Sequence, residues 1–337
     1  MRVASRNHFY CCTHKSDALT DIIALSSEEA RSLLPMDDVI VAMEDAFAAA
    51  SNGDAESVGV LHIDAGKYGG GWSIKPGYLK SRGYVGVKLA CGYPGNAAKG
   101  IPTIMGAILL ADAKDGTPLL LIDGLYVTAI RTGATGGVAA KHLARKEAEI
   151  VGVVGAGTQG RMQVRSLKRL FSLEEIKAYD IDKSRLRSYV REMAEELGVK
   201  VTEASSAREA VQGSDIVITV TPSKTPYVKS EWLQGGVHVN AFGADRLGKQ
   251  ELDKRIYKRS KLVTDDINAA LQKKLFTKDD VYAELGEVIT GKKKGRTRST
   301  DLTVFDSTGV GIQDVATAAV AYERAKKSGA GQTIRLN

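Results

Sequence analysis

One run of twelve residues constrains this chain more than any other: Glu149-Ile150-Val151-Gly152-Val153-Val154-Gly155-Ala156-Gly157-Thr158-Gln159-Gly160. Apolar Ile150, Val151, Val153 and Val154 read as a buried parallel strand. A Gly-x-Gly-x-x-Gly turn follows, and then a helical pattern over 161–171. Gly155 allows a sharp exit from the strand, Gly157 lets backbone amides approach a pyrophosphate, and Gly160 allows close helix-to-strand packing. The amides at the helix start, around Thr158 and Gln159, point at such a phosphate. Three glycines alone carry little weight, but Asp180 stands 20 residues beyond Gly160, after a second strand-like run at 176–179. An acidic side chain there can accept hydrogen bonds from ribose hydroxyls. The competing reading is a plain strand-turn-helix packing unit; the combined spacing favours a dinucleotide site.

The rest of the chain sets broad limits. A length of 337 residues allows two domains, and 43% hydrophobic with 26% charged residues is ordinary for a globular protein. No apolar run approaches the roughly 18 residues of a membrane span. Residues 1–20 are polar, lack the apolar core of a secretory signal, and read as a loose extension. Three cysteines form no disulfide framework, so a cytoplasmic location is expected. The net charge of +7 suits small anions or nucleic acid. The densest basic run, Lys292-Lys293-Lys294-Gly295-Arg296-Thr297-Arg298, has no interleaved aromatics and reads as a solvated loop rather than a nucleic-acid surface.

Order begins at Ser26, with Glu29 at capping-box spacing. After Pro35 a helix carries Met36, Ile40, Met43 and Phe47 on one face and stops at Asn52-Gly53. Between 58 and 124, short apolar runs at 85–90, 104–110 and 118–122 predict a mixed sheet. An Ala/Gly/Thr-rich helix is expected at 126–144. From 149 onward, strand-like runs at 150–154, 176–179, 199–202, 216–220, 237–241 and 262–264 alternate with helical patterns, and a further one lies at 302–305. Parallel strands need helical crossovers, so this part predicts a doubly wound parallel sheet. A last helix around Ile312–Val320 ends at Gly329.

Hydride chemistry on a small acid needs a carboxylate anchor, a polarising group and a proton carrier. Lys88 is a cation inside an apolar strand, so a bound carboxylate is a natural partner; the alternative is a strand-edge lysine reaching water. Lys75 is a weaker candidate of the same kind. Arg131, followed by Thr132, is expected at the start of the 126–144 helix, where it could clamp a carboxylate bidentately or form a structural salt bridge. Asp245 follows a strand of the parallel sheet and should project where ligands bind, as a proton carrier with a raised pKa, or else cap a helix before Lys249. His8, Cys11, Cys12 and His14 cluster without usual zinc spacing, so no metal site is expected. His62, His142 and His238 have no carboxylate or serine partner visible in sequence, which leaves a hydrolase triad unsupported.

Several separated motifs resemble one family: Gly92-Tyr93-Pro94-Gly95-Asn96 through Thr103; Ile130-Arg131-Thr132-Gly133-Ala134; the glycine turn; Thr219-Val220-Thr221-Pro222-Ser223; Gly243-Ala244-Asp245 through Gly248-Lys249-Gln250-Glu251-Leu252; and Phe305-Asp306-Ser307-Thr308-Gly309 with Gln313-Asp314. Over about 22–335 the chain resembles the ornithine cyclodeaminase and mu-crystallin family, nearest its archaeal-type alanine dehydrogenase branch. That resemblance implies an α/β fold in which a Rossmann domain (139–312) is inserted in a discontinuous α+β substrate-binding and dimerisation domain (1–138 and 313–337), and a homodimer. It implies that Lys88 and Arg131 hold the substrate carboxylate, that Asp245 acts on the amino group, and that Thr132, Thr221, Lys249 and Ser307 reach the cofactor beside the glycine turn. Asp180 favours NAD over NADP by repelling a 2′-phosphate, with Lys183 and Arg185 weighing the other way.

The implied activity is an NAD(H)-dependent amino-acid dehydrogenase or imino-acid reductase, interconverting a small, alanine-like L-amino acid with its 2-imino or 2-oxo acid and ammonia. An ornithine cyclodeaminase-type cyclisation and a non-catalytic NAD(P)H-binding role remain as alternatives. One departure stands out. The family usually places an arginine on the strand before Pro76, pairing with the substrate carboxylate. Ser73 and Gly59 occupy the candidate positions here, and Lys75 is the only nearby cation. Lys75 could replace the missing clamp, or the substrate could carry a different group, such as a second carboxylate.

Overall fold

A computed structural model describes residues 21–336; the cysteine–histidine cluster and the expected loose extension lie outside them. Two eight-stranded sheets organise the chain. The first is mixed and runs Gln332–Arg335, Asp21–Leu25, Pro118–Asp123, Ile104–Asp112, Tyr84–Gly92, Gly70–Leu79, Ala55–Ser57, with Leu61–Ala65 also on Gly70–Leu79. Only Asp21–Leu25 and Pro118–Asp123 pair in parallel; the other ladders are antiparallel. Its inner face, with Leu79, Ile108, Leu110, Leu120 and Ile122, is covered by the helices Met36–Ser51, Gly124–Leu143 and Gly311–Ser328.

The expected mixed sheet is present but larger than the three apolar runs suggested. Gly70–Leu79 carries Trp72, Ile74 and Tyr78 at alternate positions, but its glycines and Pro76 argue against a strand in the sequence. Pro76 lies opposite Val87, and its other side falls in the gap between two short neighbours: Leu61–Ala65 pairs as far as Ile74, Ala55–Ser57 begins at Gly77. The gap seats the start of the last helix, because a Cβ on Gly311 would stand 1.9 Å from the Pro76 carbonyl oxygen.

The long helix is Gly124–Leu143, capped by Asp123, whose carboxylate accepts from the Leu125 and Tyr126 amides at 3.1 Å each. Arg131 therefore sits inside this helix, two turns past its start, and not at its beginning as the sequence suggested. Gly133 of the same helix meets Thr158–Leu170 so closely that a Cβ would stand 2.6 Å from the Met162 carbonyl oxygen. This contact locks the helix after the glycine turn onto the helix that carries Arg131.

The second sheet is wholly parallel, in the order Lys200–Glu203, Glu175–Tyr179, Ile150–Val154, Ile216–Thr219, His238–Ala241, Thr303–Asp306, Lys261–Thr264, Val281–Glu284. It is doubly wound, with apolar clusters on both faces. Strand order reverses between Ile150–Val154 and Ile216–Thr219, and a crevice outside the carboxyl ends of such strands is where ligands bind. The last helix and strand return to the mixed sheet, so the parallel sheet is inserted within it in sequence. No helix among the described residues is long and apolar enough to cross a membrane.

Candidate active site

A crevice of roughly 1060 Å³ opens between the two sheets. Its walls bring together Lys75 and Lys88 from the mixed sheet, Arg131 and Thr132 from the long helix, and Thr158, Gln159, Thr221, Asp245, Lys249 and Ser307 from the parallel sheet. Gly155, Gly157, Gly160 and Asp180 form the turn beside it. Gly155 has φ +111°, and a Cβ there would meet the Val220 oxygen at 2.8 Å; a Cβ on Gly160 would meet the Gly155 oxygen at 2.3 Å. Above Gly157, in contrast, lies open space. The helix Thr158–Leu170 has no side-chain cap, so its first amides are available to a phosphate. The buried Asp180 carboxylate accepts from the Ala156 amide at 2.8 Å and the Asp182 amide at 2.9 Å, with Arg185 at 3.6 Å. The backbone thus orients Asp180 beside the turn and leaves further lone pairs for a ribose. These features fit a dinucleotide.

The substrate end is dominated by charge. Lys88 is 2% exposed, which overturns the reading of a lysine reaching water. Its expected anionic partner is also a protein group: Nζ donates to Asp314 Oδ1 at 2.8 Å and to Thr128 Oγ1 at 3.1 Å. Arg131 donates from Nε to the same Asp314 oxygen at 3.0 Å and from Nη1 to Gln313 Oε1 at 3.0 Å. Lys75 lies directly opposite Lys88 in the strand ladder and donates to the carbonyl oxygens of Gly309 at 2.7 Å and Thr308 at 3.2 Å. Two cations therefore share Asp314, and Lys75 beside them also feels the charges of Asp245 and Asp265. Burial, and then the Arg131 charge, pushes the Lys75 amine down and the Lys88 amine well down. Burial opposes the Asp314 charge as well, but Arg131, Lys88 and Lys75 outweigh it and hold that carboxyl below its ordinary value. Positive side chains gathered at the end of a crevice suit an anionic ligand.

The strand-end loops are held by buried acids to which the sequence alone assigned no role. Glu251 is fully buried and accepts from Thr219 Oγ1, Gly243 N, Thr221 N, Thr221 Oγ1 and Tyr227 OH, all at 2.7–2.8 Å. Burial pushes its carboxyl up. Thr221, expected at the cofactor, thus gives its hydroxyl proton to Glu251. Asp265 accepts from Ser307 Oγ, Thr308 N, Thr308 Oγ1 and Gly309 N at 2.6–2.9 Å, so Ser307 offers the crevice lone pairs. The turn 307–309 is gripped from its amide side by Asp265 and from its carbonyl side by Lys75. Gly309 has φ +73°, and a Cβ there would stand 2.7 Å from Arg131 Nη1.

Asp245 differs from expectation in its surroundings. Its side chain is 49% exposed and pairs with Lys249 at 2.7 Å, and no helix directly follows it. Lys249 likewise spends its amine on Asp245. The histidines have structural partners: His142 with Glu44 at 2.7 Å, His238 with Thr303 and Asn240 at 2.9 Å, His62 with Ser73 at 3.2 Å. Among the described residues no group of three His, Cys, Asp or Glu could hold a metal. The basic loop is less solvated than expected, because Arg296 binds the Leu143 carbonyl oxygen at 2.8 Å and Thr303 Oγ1 at 3.1 Å.

Comparison with known proteins agrees with this fold. An alanine dehydrogenase of Archaeoglobus fulgidus is 40% identical over 325 residues, 94% of this chain and 99% of that one. A solved archaeal alanine dehydrogenase dimer with bound NAD has a TM-score of 0.88 at 40% identity, covering 94% of this chain and 100% of that one. Thermococcus litoralis Δ(1)-pyrroline-2-carboxylate reductase, solved with NADH and L-proline, has a TM-score of 0.88 at 36% identity, covering 93% and 100%. Residues 21–329 match the ornithine cyclodeaminase/mu-crystallin family as a whole, and the chain belongs to that family.

Proposed function

We propose that this protein is an NAD(H)-dependent oxidoreductase acting on the CH–NH2 or C=N group of a small L-amino or imino acid. In the oxidative direction the amino acid, NAD+ and water give the 2-oxo acid, ammonium, NADH and a proton. The observation that carries the reading is the cation cluster of Lys75, Lys88 and Arg131 around Asp314, at the carboxyl ends of a dinucleotide-binding sheet. The nicotinamide, when bound, accepts or returns the hydride at the substrate C2. Lys88 and Arg131 fix the substrate carboxylate and so orient C2; holding two reactants in register removes much of the entropic barrier to their reaction. Lys75 completes the clamp. Asp245, half-exposed at the crevice, exchanges a proton with the substrate nitrogen, and Lys249 holds it in place. Thr132, Thr158, Gln159 and Ser307 contact the cofactor, and Asp180 takes its ribose, favouring NAD.

The same reading divides the chain into a substrate and dimerisation part, 1–138 and 313–337, and a nucleotide part, 139–312. A homodimer is supported by the archaeal relative and by the outer face of the mixed sheet, where Val85, Leu89, Leu109 and Leu121 are exposed; an apolar face of this kind is usually covered. The set of charges around the crevice argues against a non-catalytic binder. In Lys88→Ala and Asp245→Ala variants we expect most turnover to be lost while NADH still binds, read by NADH fluorescence. Unchanged turnover in either variant removes that residue from the mechanism.

A further inference from the structure

Two adjacent strands of the parallel sheet, Lys261–Thr264 and Thr303–Asp306, end side by side with Thr264 opposite Asp306. The next residues are Asp265 and Ser307. Residues 307–310 have no regular structure of their own, so side chains set their course. Asp265 Oδ2 accepts from Ser307 Oγ at 2.8 Å, Thr308 N at 2.8 Å and Gly309 N at 2.6 Å, and Oδ1 accepts from Thr308 Oγ1 at 2.9 Å. The Gly309 amide shares its peptide group with the Thr308 carbonyl, which accepts from Lys75 Nζ at 3.2 Å. One peptide group therefore stands between an anion and a cation. The next peptide group continues the chain. Its Gly309 carbonyl oxygen accepts from Lys75 Nζ at 2.7 Å, and its Val310 amide donates at 2.8 Å to Gln313 Oε1, which also accepts from Arg131 Nη1 at 3.0 Å.

These contacts join the two halves of the crevice. Ser307 lines it on the side of the parallel sheet, and Lys75 and Arg131 line its charged end. Asp265 is 7% exposed and meets the crevice through the turn. A peptide group that donates to an anion and accepts from a cation is polarised by both, so each bond strengthens the other. Gly309 has φ +73°, a conformation open to glycine in which successive amides converge on one carboxylate oxygen. A cofactor held at Ser307 orders the turn. A turn already ordered leaves less entropy to lose when Lys75 and Arg131 take up a carboxylate. We infer that Asp265 is a positioning residue that couples the cofactor and substrate halves of the site, each ligand tightening the binding of the other through the backbone of 307–310. The inference rests on the oxidoreductase reading above.

The test is a fluorescence titration of NADH into the full-length protein, with and without saturating oxamate, which carries a carboxylate and takes no hydride. The expected result is NADH affinity raised at least about fivefold by oxamate in the wild type. That factor should fall toward one in Asp265→Asn, while affinity for NADH alone changes far less. Lys75→Met should lower the factor as well, and the double variant should lower it no further than the stronger single one. Where Asp265→Asn does not fold, Thr308→Val, which removes one donor from Asp265, decides by the same comparison. A merely structural role lowers the melting temperature and leaves the factor as it was; that result overturns the coupling, as does a factor of one in the wild type. Amine-dependent NADH oxidation with an oxo acid is read separately. If it persists while the factor is one, the coupling fails and the oxidoreductase reading stands. If it is absent while the factor is as expected, the oxidoreductase reading fails and the coupling stands.

Discussion

Lys88 and Arg131 share a single oxygen of Asp314, Oδ1, at 2.8 and 3.0 Å, while Oδ2 of the same buried carboxylate has no partner. Asp314 points two cations the same way and leaves them undersatisfied. Both cations also line the crevice, so their shared contact with Asp314 fixes them before a substrate arrives and leaves little reorganisation to be done on binding.

Replacing Asp314 by Asn keeps the shape and removes the charge. Asp314 raises the pKa of Lys88 against the burial and the Arg131 charge that depress it, so without it the Lys88 amine loses its proton at lower pH. A carboxylate clamp needs the protonated amine. The alkaline limb of the kcat/KM profile should therefore move toward lower pH, with a loss of at least about tenfold at neutral pH. NADH binding should change far less. An alkaline limb that stays where it was shows that Lys88 is not the group whose protonation controls substrate capture.

Glu251 ties together the ends of two neighbouring strands, at Thr219–Thr221 and at Gly243, with five accepted hydrogen bonds. In Glu251→Gln an amide NH2 would face at least one of those donors, leaving buried groups unpaired at a cost of about 1–3 kcal/mol. The loop that carries Asp245 should lose its fixed position. We expect a lower melting temperature and a kcat reduced more than tenfold, about 1.4 kcal/mol or more in the barrier, with a smaller change in KM. A variant with lowered stability but full kcat shows that Glu251 supports the fold without positioning Asp245.

His238 offers a stability test away from the crevice. Burial pushes its imidazole down from 6.5 to about 3, so it is neutral between Thr303 and Asn240 while the unfolded chain takes up a proton below about 6.5. The unfolded state binds more protons between those two values. Its contribution to stability is thus complete above about pH 6.5 and is lost as pH falls, by about 1.4 kcal/mol per pH unit inside the window. Urea unfolding of wild type and His238→Gln at about pH 5 and about pH 8 should show the shallower pH dependence in the variant. Equal slopes contradict the buried neutral histidine.

Local features of the fold were legible in the sequence. The glycine turn and the box of Ser26 and Glu29 depend on residues a few positions apart, and both form as expected, with the Ser26 amide donating to Glu29 at 2.8 Å. Gly70–Leu79 escaped because its glycines and Pro76 read as loop residues although Trp72, Ile74 and Tyr78 alternate, and its place is set by partners elsewhere. The charge network escaped for a similar reason. Asp314 lies 226 residues from Lys88 and 183 from Arg131, so their pairing exists only in space. The sequence signal was weak: Gln313 and Asp314 are two polar residues on an otherwise apolar helix face. Asp306, buried against Lys273 and 3.1 Å from the Tyr257 hydroxyl, escaped in the same way. Asp245 stands at a strand end as its position in the chain suggested, but its exposure depends on a loop that no periodicity describes.

The proposed activity is tested most simply by the consumption of NADH by the purified protein with oxaloacetate, pyruvate, glyoxylate and 2-oxobutyrate, each with and without ammonium. The expected result is NADH oxidation that requires both an oxo acid and the amine, and that is lost in Lys88→Ala. Oxidation independent of the amine, or none with any oxo acid at concentrations where NADH is bound, contradicts the oxidoreductase reading.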